Sequence, residues 1–304
     1  MSATDLTGKV AIVTGSGRGL GRAYALALAA ANAAVVVNDV DSDAADEVVR
    51  RIIATGGRSI AVVAPVGSTE SAEALIRAAQ EAFGRVDIMV ANAGVLRDKV
   101  LWKMSDADFD AVINTHLRGA FTCGRAAASA MREQGEGGRI ILIGSPAGQF
   151  GSFGQTNYAA AKAGIVAMAR TWSLELARAN ITANVVIPTA MTAMTATIPA
   201  YAELYKSFEA GEPLPRDIRR DHALGGPEDV APLVVWLASD DAANVTGQAI
   251  GIGGDKITLY SHPAERAAQY RDGGWTPSSI SAAWAEQFQP LEQPSGATIQ
   301  PISK

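Results

Sequence analysis

The chain is expected to fold as an α/β protein, a doubly wound and mostly parallel sheet held between two layers of helices. Short apolar runs alternate along it with longer helical stretches, and the first run ends in a glycine-rich turn that opens a helix. Its 304 residues, 48% hydrophobic and 19% charged, suffice for one large core and carry no disorder signature. A net charge of -5 argues against nucleic acid, and no Lys/Arg run suggests an anionic membrane surface.

Residues 9–14 form a β-rich run that reads as a buried parallel strand. Glycines follow as Thr14-Gly15-Ser16-Gly17-Arg18-Gly19-Leu20-Gly21. Glycine permits a tight turn and close backbone approach, and a helix N-terminus offers free N–H groups to a pyrophosphate. The spacing G-x-G-x-x-G is out of register because Leu20 takes the sixth place, whereas Gly15-x-x-x-Gly19-x-Gly21 is present. Gly15, Gly17, Arg18, Gly19 and Leu20 are therefore the expected phosphate cradle.

The second strand, 34–39, ends in Asp39, where such a fold needs an acceptor for the adenosine ribose hydroxyls. A 2′-phosphate there would meet like charge at a cost of roughly several kcal/mol, so Asp39 favours NAD over NADP. Arg18 is open to two readings, a partner for a 2′-phosphate or a solvated loop arginine.

Helix 45–54, strand 58–64 and helix 70–83 follow, and strand 86–91 runs into Asn92-Ala93-Gly94. A long helical region at 105–134, interrupted near Gly119, leads to strand 138–145, helix 155–179 and strand 181–188. Ligands of such sheets sit at the carboxyl ends of strands, where Asn92, Ser145 and Pro188 fall. From 189 to 226 the pattern loosens, with Pro199, Pro213 and Pro215, and a substrate lid is expected there. An amphipathic helix at 227–239, with Pro227 in its first turn, precedes a last strand at 249–252. One domain, 1–255, is expected, and 256–304 should pack as an extension on the core or on a partner subunit.

Within 155–162, Tyr158 and Lys162 lie one turn apart on a helical face. An ammonium beside a phenol stabilises the phenolate; working near neutrality requires a fall from ~10 by roughly three units, about 4 kcal/mol. Taken alone, the pair also fits a plain amphipathic surface.

The single cysteine, Cys123, rules out an intramolecular disulfide and fits a reducing compartment, so a cytoplasmic location is expected. The N-terminus lacks the basic stretch and apolar core of a signal peptide. His116, His222 and His262 are not at metal-ligand spacing, and no metal is expected.

Together, Thr14-Gly15-x-x-x-Gly19-x-Gly21, Asn92-Ala93-Gly94, Asn114, Ser145, Tyr158-x-x-x-Lys162 and Pro188 resemble the short-chain dehydrogenase/reductase family over roughly residues 6–255. The stretches Gly21–Leu26, Val35–Asp39, Asn92–Asp98, His116–Gly119 and Phe153–Tyr158 are similar to the (3R)-hydroxyacyl-CoA dehydrogenase part of peroxisomal multifunctional enzyme type 2. Ile302-Ser303-Lys304 lacks the final leucine of a peroxisomal address.

The resemblance implies a Rossmann-type fold, an NAD-dependent interconversion of a secondary alcohol and a ketone, and a homodimer or homotetramer. The implied substrate is lipid-like, a 3-hydroxyacyl-CoA or a hydroxysteroid. Tyr158 would exchange the proton and Ser145 would bond the substrate oxygen. Lys162 would lower the tyrosine pKa and hold the nicotinamide ribose, and Asn114 would hold a water. Asn92, Ala93, Gly94 and the backbone of Val66 would line the adenosine side, with Pro188 and Thr192 near the carboxamide. Pro65 stands where the family commonly has an Asp, and Thr189 where it has a Gly. Two other readings are an NADPH-dependent 3-oxoacyl carrier reductase and a non-catalytic dinucleotide-binding scaffold.

Overall fold

The computed structural model describes residues 4–193, 195–197 and 201–296. Its first half runs β1 (Val10–Thr14), α1 (Gly19–Ala30), β2 (Ala34–Asp39), α2 (Ser42–Ala54), β3 (Ser59–Val63), α3 (Thr69–Phe83) and β4 (Ile88–Ala91). The second half begins with α4 (Asp106–Val112), a π-helical segment Ile113–Arg118, and α5 (Gly119–Gln134). It continues through β5 (Gly138–Ile143), α6 (Ala147–Phe150), α7 (Thr156–Glu175) and β6 (Ile181–Pro188). Then come α8 (Ala202–Glu209), α9 (Arg216–Arg220), α10 (Ala231–Ala238), β7 (Ala249–Gly253), β8 (Lys256–Tyr260) and α11 (Pro277–Ala283).

The strands form one sheet in the order β3-β2-β1-β4-β5-β6-β7-β8, parallel except for the last pair. Successive side chains of a strand point to opposite faces, and the core divides accordingly. Ala11, Val13, Val35, Val37, Ile141 and Ile143 pack with α1, α2 and α10. Val10, Ile12, Val36, Met89, Ile140 and Leu142 pack with α3, α5 and α7. This is the expected three-layer arrangement.

The order reverses between β1 and β4, and Asp87 fastens that seam. Buried just before β4, its carboxylate accepts the Val10 N–H at 2.8 Å and the Arg85 guanidinium at 2.7 Å. Caps fix the helix starts: Asp41 accepts from Ala44 N, Ser68 from Ser71 N, and Ser105 forms a reciprocal box with Asp108. Such caps contribute about 1 kcal/mol each.

The interruption expected near Gly119 is a π segment just before it, where the chain takes up extra residues without leaving the helix axis. Three elements differ from expectation. The described residues of 189–226 contain α8 and α9 around a small core of Met191, Tyr201, Leu214, Ile218 and Leu224, more order than Pro213 and Pro215 suggest; Pro199 lies outside the described residues. The segment after Pro227 becomes α10, which is buried on several sides and so not amphipathic. The sheet also continues past residue 255 into β8, an edge strand that pairs only with β7.

Candidate active site

Every strand that reaches the site delivers its side chains from the carboxyl edge of the sheet. Gly15 turns the chain out of β1 at φ +62°, and a Cβ there would lie 2.7 Å from the Ala93 Cα. Only glycine permits that approach. Asn92 closes the turn from the other side: its Nδ2 donates to the Thr14 and Gly15 carbonyls at 2.9 Å each. The Thr14 hydroxyl accepts the N–H groups of Asn92 and Ala93 at 3.0 and 3.1 Å.

The Gly17 N–H donates to Asp39 Oδ2 at 2.9 Å, while Oδ1 accepts from Val40 N and Asp41 N. Asp39 is thus held rigidly, and Gly17 serves as its support. The exposed Arg18 guanidinium pairs with Asp41 Oδ2 at 2.6 Å. The N-terminus of α1 has no side-chain cap and no acidic residue in its first turn. A Cβ on Gly19 would meet nothing within 4 Å, so open space lies over these amide groups. Uncapped N–H donors, the helix dipole and that open space fit the pyrophosphate of a dinucleotide. Leu20 follows in the first turn and packs on the core.

Val66, Pro188 and Thr192 are the other residues expected at the cofactor. A Cβ on Gly119 would sit 2.9 Å from Val66 Cγ2, which places Val66 against the start of α5. Pro188 ends β6 beside Ile252. The Thr192 hydroxyl accepts from Thr195 N at 3.3 Å and starts the short turn Thr195–Thr197.

Ser145 lies just beyond β5, its hydroxyl accepting from Ala147 N at 3.2 Å. Tyr158 and Lys162 share the inner face of α7, with Lys162 Nζ 5.5 Å from the phenol ring centroid. Asn157, fully buried, anchors this end of the helix by donating to the carbonyls of Arg97 and Asp108 at 3.1 Å each.

The electrostatics reverse one expectation. Burial raises the Tyr158 pKa, the Ser145 hydroxyl acts the other way, and the charge of Asp98 adds to the rise. Burial also lowers Lys162 to about 7, and its amine donates to the Ile143 carbonyl at 2.6 Å. An ammonium lowers a neighbouring phenol only while it is itself charged, and here desolvation acts against both charges.

Asn114 does not join this group. It sits exposed in the π segment, where a Cβ on Gly67 would lie 2.7 Å from its Nδ2. The residue that the π segment turns inward is His116, whose ring meets Tyr158 edge-on. Asn157 and His116 are the site residues that the motifs did not single out, since no local pattern shows that these two polar side chains are buried.

Several known proteins are similar to this chain. A family profile described as Enoyl-(Acyl carrier protein) reductase matches residues 15–254. Hydroxyacyl-CoA dehydrogenase ChsB1 of Mycobacterium tuberculosis is 41% identical over 300 residues, covering 94% of this chain and 90% of that protein. Peroxisomal multifunctional enzyme type 2 of Mus musculus is 36% identical over 315 residues, 98% of this chain and 40% of that longer protein. A 3-oxoacyl-[acyl-carrier-protein] reductase of Synechocystis sp. is 42% identical over 256 residues, 84% of this chain and 99% of that one. A crystal structure of a short chain dehydrogenase from Mycobacterium avium superposes with a TM-score of 0.82 at 35% identity, covering 97% of this chain and 99% of that one. With its glycine turn, its Ser145–Tyr158–Lys162 group and these likenesses, the chain is an oxidoreductase acting on CH–OH groups with a nicotinamide dinucleotide, and it belongs to the short-chain dehydrogenase/reductase family.

Proposed function

We propose that the chain is an NAD-dependent dehydrogenase that interconverts a 3-hydroxyacyl-CoA and its 3-oxo thioester. The observation that carries the cofactor choice is Asp39, whose two oxygens are fixed by three backbone N–H groups where a ribose would lie. Arg18, the cation beside this corner, pairs with Asp41, whereas a 2′-phosphate would meet the Asp39 carboxylate. The substrate class rests on the likeness to the hydroxyacyl-CoA dehydrogenase and the multifunctional enzyme.

Bound NAD would supply the hydride acceptor, held by the turn at Gly15–Gly19, Asp39, the Asn92–Gly94 backbone and Lys162. The Tyr158 oxygen takes the proton of the substrate hydroxyl, and Ser145 donates to the oxygen as its charge develops. With its pKa raised, Tyr158 rests as a neutral phenol, which must release its own proton to solvent before it takes the substrate's. Alcohol oxidation should therefore speed up as pH rises and ketone reduction should slow.

Residues 189–226 serve as the substrate lid in this reading, since α8 and α9 have a small core of their own and follow directly on Pro188. The edge strand β8 leaves Ile257 and Leu259 exposed, and Trp275 and Trp284 stand exposed beyond it. Covering by further copies in a homodimer or homotetramer would bury them. The extension also touches the core, with Gly296 N donating to the Phe150 carbonyl at 2.7 Å. Among the described residues no helix is long and apolar enough to cross a membrane. The buried, unpaired Cys123 supports a reducing, cytoplasmic setting.

A steady-state assay of NADH formation over hydroxyacyl-CoAs of several lengths, steroids and simple alcohols tests the proposal. Turnover with the thioesters and a preference for NAD are expected; inactivity with every acyl thioester overturns the substrate. The likeness to the 3-oxoacyl carrier reductase favours a second reading, in which NADPH outperforms NADH in the reductive direction.

A further inference from the structure

We propose that His116 is a positioning residue that couples the turn after Gly94 to the ring of Tyr158, so that seating of the cofactor and proton transfer depend on one side chain. The proposal rests on Tyr158 being the proton-transfer residue. His116 lies on the π segment between α4 and α5 and is 3% exposed. Its ring meets the Tyr158 ring edge-on, with centroids 5.1 Å apart and an interplanar angle of 88°. That arrangement is attractive between aromatic rings and blocks sideways movement of the phenol.

On its other side the same ring holds the backbone that follows Asn92-Ala93-Gly94. Its Nε2 lies 2.8 Å from the Val95 carbonyl and 3.0 Å from the Val95 N–H. In one tautomer it donates to the carbonyl, and in the other it accepts from the N–H; either way Val95 is fixed. A Cβ on Gly94 would collide with His116 Cε1, so the ring lies flush against that backbone.

The second ring nitrogen, Nδ1, is buried without a hydrogen-bond partner among the described residues. An orphaned buried nitrogen costs stability that an apolar side chain of similar size would not lose. What the imidazole offers instead is a rigid ring with a polar atom at one end, contacting two parts of the site at once. It does this as a neutral group. Burial, and then the charge of Lys162, hold its pKa down to about 3. Tyr158 and Lys162 on α7 are the titratable groups that face it. A second cation beside Lys162 would be repelled, so His116 steers the proton carrier without carrying a proton.

Two substitutions separate the two contacts. H116F keeps the ring edge and loses the grip on Val95; H116Q keeps a polar group with reach toward Val95 and loses the ring. Affinity for NADH is read by fluorescence titration without substrate, kcat and KM by the NADH-formation assay, and folding by thermal denaturation. H116F should weaken NADH about tenfold with kcat within about threefold, as expected for loss of one hydrogen bond at the binding turn. H116Q should leave NADH affinity within about threefold and lower kcat about tenfold or more, as expected for a misplaced catalytic group. H116L should show both losses, which keeps both arms readable if either variant fails to fold. Parallel changes in affinity and kcat across all variants, or changes confined to melting temperature, overturn the proposal. A wild-type chain that binds NADH and oxidises none of the alcohols overturns the functional reading instead, while H116F still reports on the Val95 arm.

Discussion

The two sides of the cleft are built on opposite terms. Around the glycine turn the polar groups of Thr14, Asn92 and Asp39 are matched by backbone partners. Around Tyr158 the groups are buried short of their needs: Lys162 is pushed down to about 7, the phenol is pushed up, and His116 Nδ1 has no partner among the described residues. Matched hydrogen bonds make the nucleotide side a preformed mould. Unmatched ones move the catalytic side's titrations away from their ordinary range, at a cost in stability. Substitutions should therefore behave differently on the two sides.

The largest effect is expected from Tyr158→Phe, which removes the proton carrier. Its kcat should fall by about 10²–10⁴-fold with NADH affinity and melting temperature almost unchanged. Comparable losses of binding and of stability would put Tyr158 with the mould. Next comes Lys162→Met, measured by chemical denaturation across pH. The folded amine titrates near 7 against an ordinary 10.5, so between these values the unfolded chain holds the proton more tightly. The destabilisation is full below pH 7 and fades as pH rises toward 10.5. Methionine should thus stabilise the protein at pH 6 by up to about 5 kcal/mol, and the gain should vanish near pH 10.5. A pH-independent gain would trace to packing alone.

On the mould side, Asn92→Ala leaves the Thr14 and Gly15 carbonyls unmatched. A loss of about 1–3 kcal/mol in stability and a weaker NADH complex are expected, with kcat at saturation little changed. The smallest effect belongs to Asp41→Asn, which can still accept from Ala44 N but frees Arg18. An exposed pair of this kind contributes about 0–1 kcal/mol, so NADP binding should improve by less than about tenfold. Isothermal titration with both cofactors reads it, and an unchanged NADP affinity would leave Asp39 alone responsible for the choice.

The same contrast explains what was legible in the sequence. β2 and β6 were readable to the residue because buried parallel strands are continuous apolar runs. Ser145, Tyr158 and Asp39 were readable because each sits at a fixed offset from such a run. The edge strand β8 was hidden because Ile257 and Leu259 face outward and mimic loop composition. The π segment was hidden for a deeper reason: no residue pattern separates an i→i+5 turn from an α-helix. The direction of the Tyr158 pKa was hidden too, because spacing reveals neighbours and not the burial that competes with them.

The seam at β1 and β4 has a consequence for the newborn chain. The bond from Val10 N to Asp87 spans 77 residues, so a ribosome working at 5–20 residues per second finishes the second partner roughly 4–15 s after the first. Until then β1 has β2 beside it and a bare edge on its other flank, open to any passing strand. Gly15 gains its wall only when Asn92 and Ala93 arrive behind Asp87. The nascent chain therefore has no complete glycine turn to offer a nucleotide until Asn92 and Ala93 have been made.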